Sequence, residues 1–521
     1  MQFNYSSGIP ASTYFGRRMR HGILLVLIMM FAGCSTAPPQ PTVIEHKSIQ
    51  STSQTDKTKI QEIKEPADES IVALLETLQR KNLISAEEMA LIAERSSARA
   101  AREKKQLQEQ VRKEIQEELP RKIKDAAAPE WTRRIRFYGD IRLRYERDFF
   151  DKNNADLFQP ANPSQLMNTR INQDRFKYRL RFGAEAQVNE KLDAVCLFAT
   201  GNTSNPVSTN TILGDYLNKD NLVLNLAYLR YHPGEFLSVS GGRIPNPWYS
   251  ASWLVWDDDL NFEGLALHFR QPITESFESF LTLGTFPLDQ YEFSSNDKWL
   301  KGVQLGFERK GTKDIAAKIG AAYYHFDNIT GQMNNPLRPN EKDWTAPQYQ
   351  QKGNTLFNIN PNAKSEAEYK TALASEFREL YFTGHLDIGF WDPYHVVFLG
   401  EYVENLGFNK AEVARRTGNR DQTEETRGYQ IGMSLGCPKA DKSGVWKTYL
   451  QYRHIEADAV VDAFTDSDFH LGGTNAKGWI WGAEFGLLKN TWLTFKWLTA
   501  DEISGPPLSI DVLFLDFNTR F

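Results

Sequence analysis

The chain has 521 residues, 41% of them hydrophobic and 12% aromatic, with a formal net charge of -5. That balance argues against nucleic acid as the main partner. Mean hydropathy is -0.51, and no apolar run of about 20 residues follows the N-terminus, which excludes a spanning helix there. A membrane protein is not thereby excluded. A transmembrane barrel alternates lipid-facing with water-facing side chains, so its average hydropathy looks soluble.

In chain order, an export signal comes first. Arg17, Arg18 and Arg20 precede the apolar run Ile23 to Phe31, which is too short to remain as a span. It ends in Phe31-Ala32-Gly33-Cys34, which resembles the box read by the lipoprotein signal peptidase. On this reading residues 1–33 are a lipoprotein-type signal peptide and Cys34 carries the lipid. The competing reading is ordinary cleavage after Ala37, which Pro38 disfavours. Residues 34–69 are rich in Pro, Thr, Ser, Gln and Lys and read as a flexible tether. The other cysteines, Cys196 and Cys437, have no spacing that suggests a disulfide or a metal site. No cofactor is expected.

Residues 70–130 read as a helical segment. Ile71, Leu74, Leu75 and Leu78 share one helical face. Ser85-Ala86-Glu87-Glu88 is a capping box opening a second, highly charged helix, expected to stop at Pro120. Its apolar stripe is Leu107, Val111, Ile115 and Leu119, spaced by four rather than by the 3.5 of a coiled coil. Two readings stand: a solvated single helix, or an oligomerising stalk that could also contact the cell wall.

From Arg134 the period changes to two. Ile135, Phe137, Gly139, Ile141, Leu143 and Tyr145 alternate with Arg134, Arg136, Tyr138, Asp140, Arg142 and Arg144. The next segment alternates Phe176, Tyr178, Leu180 and Phe182 with Arg175, Lys177, Arg179, Arg181 and then Glu185. Such alternation requires a sheet with one apolar and one hydrated face. Candidate strands begin near residues 134, 175, 191, 222, 235, 261, 277, 302, 315, 380, 394, 427, 445, 477, 491 and 511. Links alternate between short turns and long loops, as in an outer-membrane barrel. The expected fold over residues 131–521 is therefore an all-β transmembrane barrel of about 16 antiparallel strands, preceded by a periplasmic helical segment.

A charge facing lipid at the midplane costs about 2–4 kcal/mol, so the charged face should line water. The expected pore-lining residues are Arg136, Asp140, Arg142 and Arg144 of the first strand. Arg175, Lys177, Arg179, Arg181 and Glu185 of the second join them, with Arg230, Arg243 and Lys496 further on. The loop 244–260 carries Asp257, Asp258 and Asp259. Facing the arginines across water, it would set up a transverse field; the other reading is a solvated turn or a calcium site. The final Leu513, Leu515, Phe517 and Phe521 share a face, and Phe521 resembles the terminal signal taken by the barrel-assembly machinery.

Further residues carry a family resemblance. Ala227-Tyr228-Leu229-Arg230-Tyr231, Gly241-Gly242-Arg243, Asn246-Pro247, Trp256 to Leu260, Glu263-Gly264, and Gly472 to Gly478 resemble the putative-porin family of Gram-negative outer membranes. The resemblance covers roughly residues 70–521 and implies outer-membrane lipid as surroundings and diffusion of small hydrophilic solutes. Likeness to general porins further implies a third loop folded into the lumen and a homotrimer. Two rival functions remain at this stage. A barrel enzyme would need a nucleophile paired with His, and none of His268, His325, His385 or His395 falls in such a motif. A structural tether from outer membrane to cell wall would rest on the N-terminal segment and is compatible with a pore.

Overall fold

The computed structural model describes residues 73–521 except 75, 76, 79, 82, 127–129, 160, 161, 293, 294, 312–314, 366 and 367. The export signal, Cys34, the tether, Ile71 and Leu75 lie outside the described residues. The chain divides into two units, Met1–Glu130 and Trp131–Phe521.

In the first unit helix α1 spans Ala86–Ala126. Its start is the expected capping box: the Glu88 amide donates to Ser85 Oγ at 3.2 Å, and the Ser85 amide donates to Glu88 Oε2 at 2.9 Å. These bonds hold the Glu88 carboxyl below its ordinary range. The end differs from expectation, because α1 runs through Pro120. Proline removes a single amide donor, and the helix-forming Arg121, Lys122, Ile123 and Lys124 that follow let the backbone continue. Leu107 and Val111 of the apolar stripe are exposed. No helix among the described residues is long and apolar enough to cross a membrane.

The second unit is a closed barrel. Its strands are β1 (Ile135–Phe150), β2 (Gln173–Asn189), β3 (Leu192–Thr200), β4 (Leu222–Gly234), β5 (Leu237–Pro245), β6 (Asn261–Thr274), β7 (Phe277–Asp289) and β8 (Lys298–Arg309). They continue as β9 (Ile315–Asp327), β10 (Arg378–Trp391), β11 (Tyr394–Asn405), β12 (Arg427–Gly436), β13 (Trp446–Ile455), β14 (Ala476–Leu488), β15 (Thr491–Glu502) and β16 (Ser509–Arg520). Each pairs antiparallel with the next, and β1 pairs antiparallel with β16, which closes the wall. An even strand number permits this all-antiparallel closure. Every backbone group of the ladder then finds a partner without an exposed edge, as a bilayer demands.

Side-chain alternation sets which face is which. Phe137, Leu143, Phe176, Phe182, Ile319, Ile431, Leu515 and Phe517 are all exposed on the outside. Phe137 stacks on Phe182 with ring centroids 5.8 Å apart. Glu146, Asp148 and Arg144 on the other face of β1 are buried. The strand runs five residues beyond the expected Tyr145, because Glu146 and Asp148 continue the inward face and hold Arg175 and Lys177 of β2. Phe521 completes the seam: its amide and carbonyl both bond Gly139, each at 3.0 Å.

Links at one end are short: 190–191, 235–236, 275–276, 310–314, 392–393 and 489–490, with 437–445 the longest. The expected turn at His232-Pro233-Gly234 is instead the end of β4, and the chain reverses at Glu235-Phe236. At the other end lie 151–172, 201–221, 246–260, 328–377, 406–426 and 456–475, with the shorter 290–297 and 503–508. The loop 406–426 contains helix α2 (Lys410–Thr417), capped by Asn409.

Candidate functional site

The lumen is where charge and geometry concentrate. Strands β1 and β2 place Arg142 opposite Arg179, Asp140 opposite Arg181 and Arg144 opposite Lys177. Like charges directly opposite would repel, so acids are interleaved. Asp140 Oδ1 accepts from Arg179 Nη2 at 3.0 Å, and its Oδ2 accepts from Arg181 Nε at 2.8 Å. Arg175 pairs with Glu146 at 2.9 Å and with Asp148, and Lys177 pairs with Glu146 at 2.6 Å. Arg136 meets Glu185 at 2.6 Å, and Glu185 and Asp193 hold Arg230 at 2.5 and 2.8 Å. Arg144 is 4% exposed, forks onto both oxygens of Asp516 at 2.8 and 2.9 Å, and reaches Asp468 at 3.1 Å. Lys496 reaches the other oxygen of Asp468 at 3.0 Å.

Arg243 departs from the expected lining. It lies opposite Glu263, while the adjacent pair Ile244 and Phe262 is buried in the lumen. Side chains alternate, so Arg243 is on the outer face. There it pairs with Glu263 at 2.6 Å and donates to the Asn225 carbonyl at 2.9 Å.

The loop 246–260 crosses the lumen. Asn246 Oδ1 accepts the Trp248 amide at 2.9 Å, and this turn, stiffened by Pro247, sends the chain inward. At the loop's base Gly242 faces Gly264 across the ladder, with φ of +121° and +141°. A Cβ on Gly264 would lie 2.3 Å from the Thr285 carbonyl oxygen, so a side chain is excluded there. Farther along, Tyr249 accepts the reach of β8 and β10: its amide donates to Gln304 Oε1 at 2.8 Å, and its hydroxyl meets His385 Nδ1 at 2.7 Å. Glu401 of β11 then gathers the Ala251 and Ser252 amides, each at 2.9 Å, and the Thr383 hydroxyl at 3.1 Å. Ser252 and Tyr381 hydroxyls also donate to it. Glu401→Ala would take this acceptor from all of these donors, leaving the Ala251 amide only Thr383 Oγ1 at 2.9 Å, and bonds to a charged group are worth about 1.5–3 kcal/mol each. Loosened loop anchoring is the expected result, seen as faster amide exchange at 250–256 with the strands unchanged.

The returning limb is apolar, then acidic. Leu254, Val255 and Trp256 are buried, and the Trp256 ring lies 5.2 Å from Phe262 and 5.0 Å from Tyr324. The inward faces of β6 to β10 thus form a dry cluster around the loop, where the sequence reading expected water throughout. The three aspartates part company. Asp257 is 2% exposed, and its Oδ2 accepts the Ser467 amide at 2.8 Å. Burial, with Asp258 and Asp466 nearby, pushes its carboxyl well up. Asp259 touches the arginine wall directly, 3.4 Å from Arg179 and 3.5 Å from Arg181, and accepts the Thr209 amide and hydroxyl at 3.2 and 3.0 Å. Burial opposes its ionisation, but Arg179, Arg142 and Arg181 outweigh that and hold it below its ordinary range. Asp258 alone stays exposed. The acidic loop is therefore latched to the arginines at one point rather than facing all of them across water. The three carboxylates lie within 4.8 Å of one another, but protein donors already occupy oxygens of two of them.

A second inward loop, 456–475, was not read from the sequence as part of the lumen. Asp466 pairs with Arg453 of β13 at 2.7 Å, and the Leu254 carbonyl accepts Thr465 Oγ1 at 2.8 Å. The loop 328–377 seats on it. Asn354 Nδ2 donates to the Ala457 and Val460 carbonyls at 2.6 and 2.8 Å, and Lys352 Nζ donates to the carbonyls of Gly472, at 2.7 Å, and His470. Gly473, at φ +91°, permits the approach: a Cβ there would lie 1.9 Å from the Lys352 carbonyl oxygen. Asp462, 1% exposed beneath this contact, is pushed up to about 7 by burial. A raised folded-state value means that the folded chain binds the proton more tightly. Asp462 thus contributes stability in acid that is lost as pH rises from its ordinary 3.8 through about 7. Protease nicking within 328–377 is expected to quicken over that window, and Asp462→Asn to flatten the profile.

Two cavities flank the loop 246–260. One of about 910 Å³ is lined by Asn205, Thr209, Trp256, Phe286 and Tyr349. One of about 780 Å³, toward the short turns, is lined by Arg230, Ser238, Trp248, Tyr249 and Lys318.

The sequence model of the family described as "Putative porin" matches residues 79–521. Among curated proteins, none matches. Solved structures with similarity include OprB of Pseudomonas putida, 11% identical over 75% of this chain and 95% of that one, with a TM-score of 0.43. The outer membrane channel DcaP of Acinetobacter baumannii is 9% identical over 74% and 97%, with a TM-score of 0.38. The trimer form of OmpT, an outer membrane protein of Vibrio cholerae, is 12% identical over 74% and 99%, with a TM-score of 0.39.

Proposed function

We propose, from the premise that this chain belongs to the putative-porin family, that it passes small hydrophilic solutes passively through its lumen, with the loop 246–260 as the constriction. The observation that carries this reading is the loop's path: it leaves the wall at Pro245, anchors on Glu401 of β11 and returns to Arg179 and Arg181 of β2, with a cavity on either side. A barrel of about 16 strands is wide enough for an aqueous channel. The charged residues of β1 and β2 line that channel: Arg136, Asp140, Arg142, Arg144, Arg175, Lys177, Arg179, Arg181 and Glu185, with Arg230 and Lys496. Transport needs no cofactor and no covalent chemistry. Both ends of the barrel chain lie at the short-turn end, which in this reading faces the periplasm together with α1. Phe521 serves the assembly machinery as the seam's last residue, and Cys34 anchors the N-terminus through lipid.

Liposomes carrying the purified chain test this with a size series of sugars. Swelling that falls steeply with sugar size is the expected outcome. Swelling no faster than in protein-free liposomes, with the barrel shown folded by heat-modifiable migration, would remove the diffusion reading.

A further inference from the structure

The outer wall of the barrel carries a groove that the pore does not use. Leu267, Leu283, Val303 and Tyr323 form one cross-strand row on the outer faces of β6 to β9 and line a depression of about 580 Å³. One row below on the same face, at Leu305 and Ala321, a second depression of about 620 Å³ begins, and it extends to Gly384 and Gly400. These two glycines stand directly opposite each other in the β10–β11 ladder. A Cβ on Gly400 would meet nothing within 4 Å, so internal packing does not require its absence. Glycine inside a strand weakens it and often marks the close approach of another molecule.

At the loop end the groove is topped by bases. Lys301, His325 and Arg378 also stand in a single cross-strand row, and all three line the upper depression. Like charges placed opposite one another repel. Lys301 and His325 share one carboxylate, Asp327, each at 2.8 Å, and Arg378 pairs with Glu376 at 2.6 Å. Lys301 and Arg378 remain about half exposed, and the buried Nδ1 of His325 has no hydrogen-bond partner among the described residues. Two carboxylates thus serve three bases, at the rim of an apolar trench on the lipid-facing wall.

We infer that this trench binds a phosphorylated acyl lipid, with its phosphate at Lys301 and Arg378 and an acyl chain laid toward Gly384 and Gly400. In the orientation proposed above, that lipid belongs to the outer leaflet. The depth fits. Lys301 to Phe307 is six steps along β8, about 20 Å at about 3.3 Å per residue, or about 15 Å along the membrane normal for a strand tilted by about 40°. That is half of a hydrocarbon core of about 30 Å, so a chain starting at the bases ends near the midplane. Free phosphate gains the bases but not the trench, and an uncharged lipid gains the trench but not the bases. A second copy of this chain seated there would bury the row of bases at a desolvation cost. The inference does not depend on solute flow through the lumen.

The test is native mass spectrometry of the full chain in neutral detergent, titrated with lipid A, which carries phosphate, and with its dephosphorylated form. Tighter retention of lipid A is the expected result. At the usual worth of a base beside an anionic lipid, Lys301→Gln with Arg378→Gln is expected to weaken lipid A binding about thirtyfold. Gly400→Leu fills the trench from the wall and is expected to weaken it about fourfold for each methylene group displaced. Inorganic phosphate at millimolar concentration should not displace the lipid. Equal retention of the two lipids, displacement by phosphate, or unchanged binding in both variants overturns the inference. So does Gly400→Leu that converts an oligomer to a monomer with lipid A binding intact, which would assign the trench to a second copy. Should the double variant fail the heat-modifiable migration check, Gly400→Leu and the dephosphorylated lipid decide alone.

Discussion

Replacing Pro247 to Asp259 by a Gly-Ser-Gly bridge is expected to raise single-channel conductance by at least about twofold, because a barrel of this strand number is an open aqueous channel unless something fills it. The loop 246–260 enters the lumen, alongside 456–475. It carries Trp248, Leu254, Val255 and Trp256 into the lumen and separates the two flanking cavities. The deletion exposes Phe262, Phe286 and Tyr324 to water, which costs stability. The ladder that closes the barrel makes no use of these residues' rings, so closure should persist, and heat-modifiable migration would verify it. Conductance equal to that of the intact chain would mean that the loop does not limit flow.

The second large effect is expected at the closure seam. Arg144 and Asp516 stand directly opposite in the β1–β16 register, 4% and 5% exposed, and the guanidinium also lies 4.0 Å from the centre of the Phe514 ring. Arg144→Leu would strand Asp516 uncompensated and take one of two cations from Asp468. Breaking a buried pair in this way costs about 3–5 kcal/mol. The double variant Arg144→Leu with Asp516→Leu removes both charges and should recover most of that loss, since Asp468 keeps Lys496. Urea unfolding in detergent, followed by tryptophan emission, would show a large fall in midpoint for the single variant and a small one for the double. Equal falls would show that packing, and not the uncompensated charge, sets the cost.

How much of this was legible in the sequence depends on where the information sits. Strand identity is local: Ile135 to Tyr145 and Phe176 to Val188 alternate so strictly that strand and face follow from neighbours. The extension of β1 to Phe150 was missed because Phe149 and Phe150 break the simple alternation, although Glu146 and Asp148 still point inward. Which way Arg243 faces was not legible, since one arginine beside Gly241 and Gly242 leaves the parity undecided without its partner Glu263 in register.

The loops are a different matter. Asp257, Asp258 and Asp259 were visible as a cluster, but their separate fates depend on contacts with Ser467, Thr209 and Arg179, which are remote in sequence. Glu401 gave no signal at all, being one acid in an alternating strand. A usable signal did exist for the dry side of the lumen. In β7 the segment Leu281 to Leu288 carries no charge on either face and turns Phe286 inward, and a barrel strand of that kind needs a cover on its inner face. The inward loop supplies that cover.

The central claim is that the lumen conducts. Single-channel recording of the full purified chain in planar bilayers, over a range of potassium chloride concentrations, tests it most directly. The account predicts discrete current steps whose size rises with salt. A correctly folded, inserted barrel that carries no steps at any concentration would contradict it.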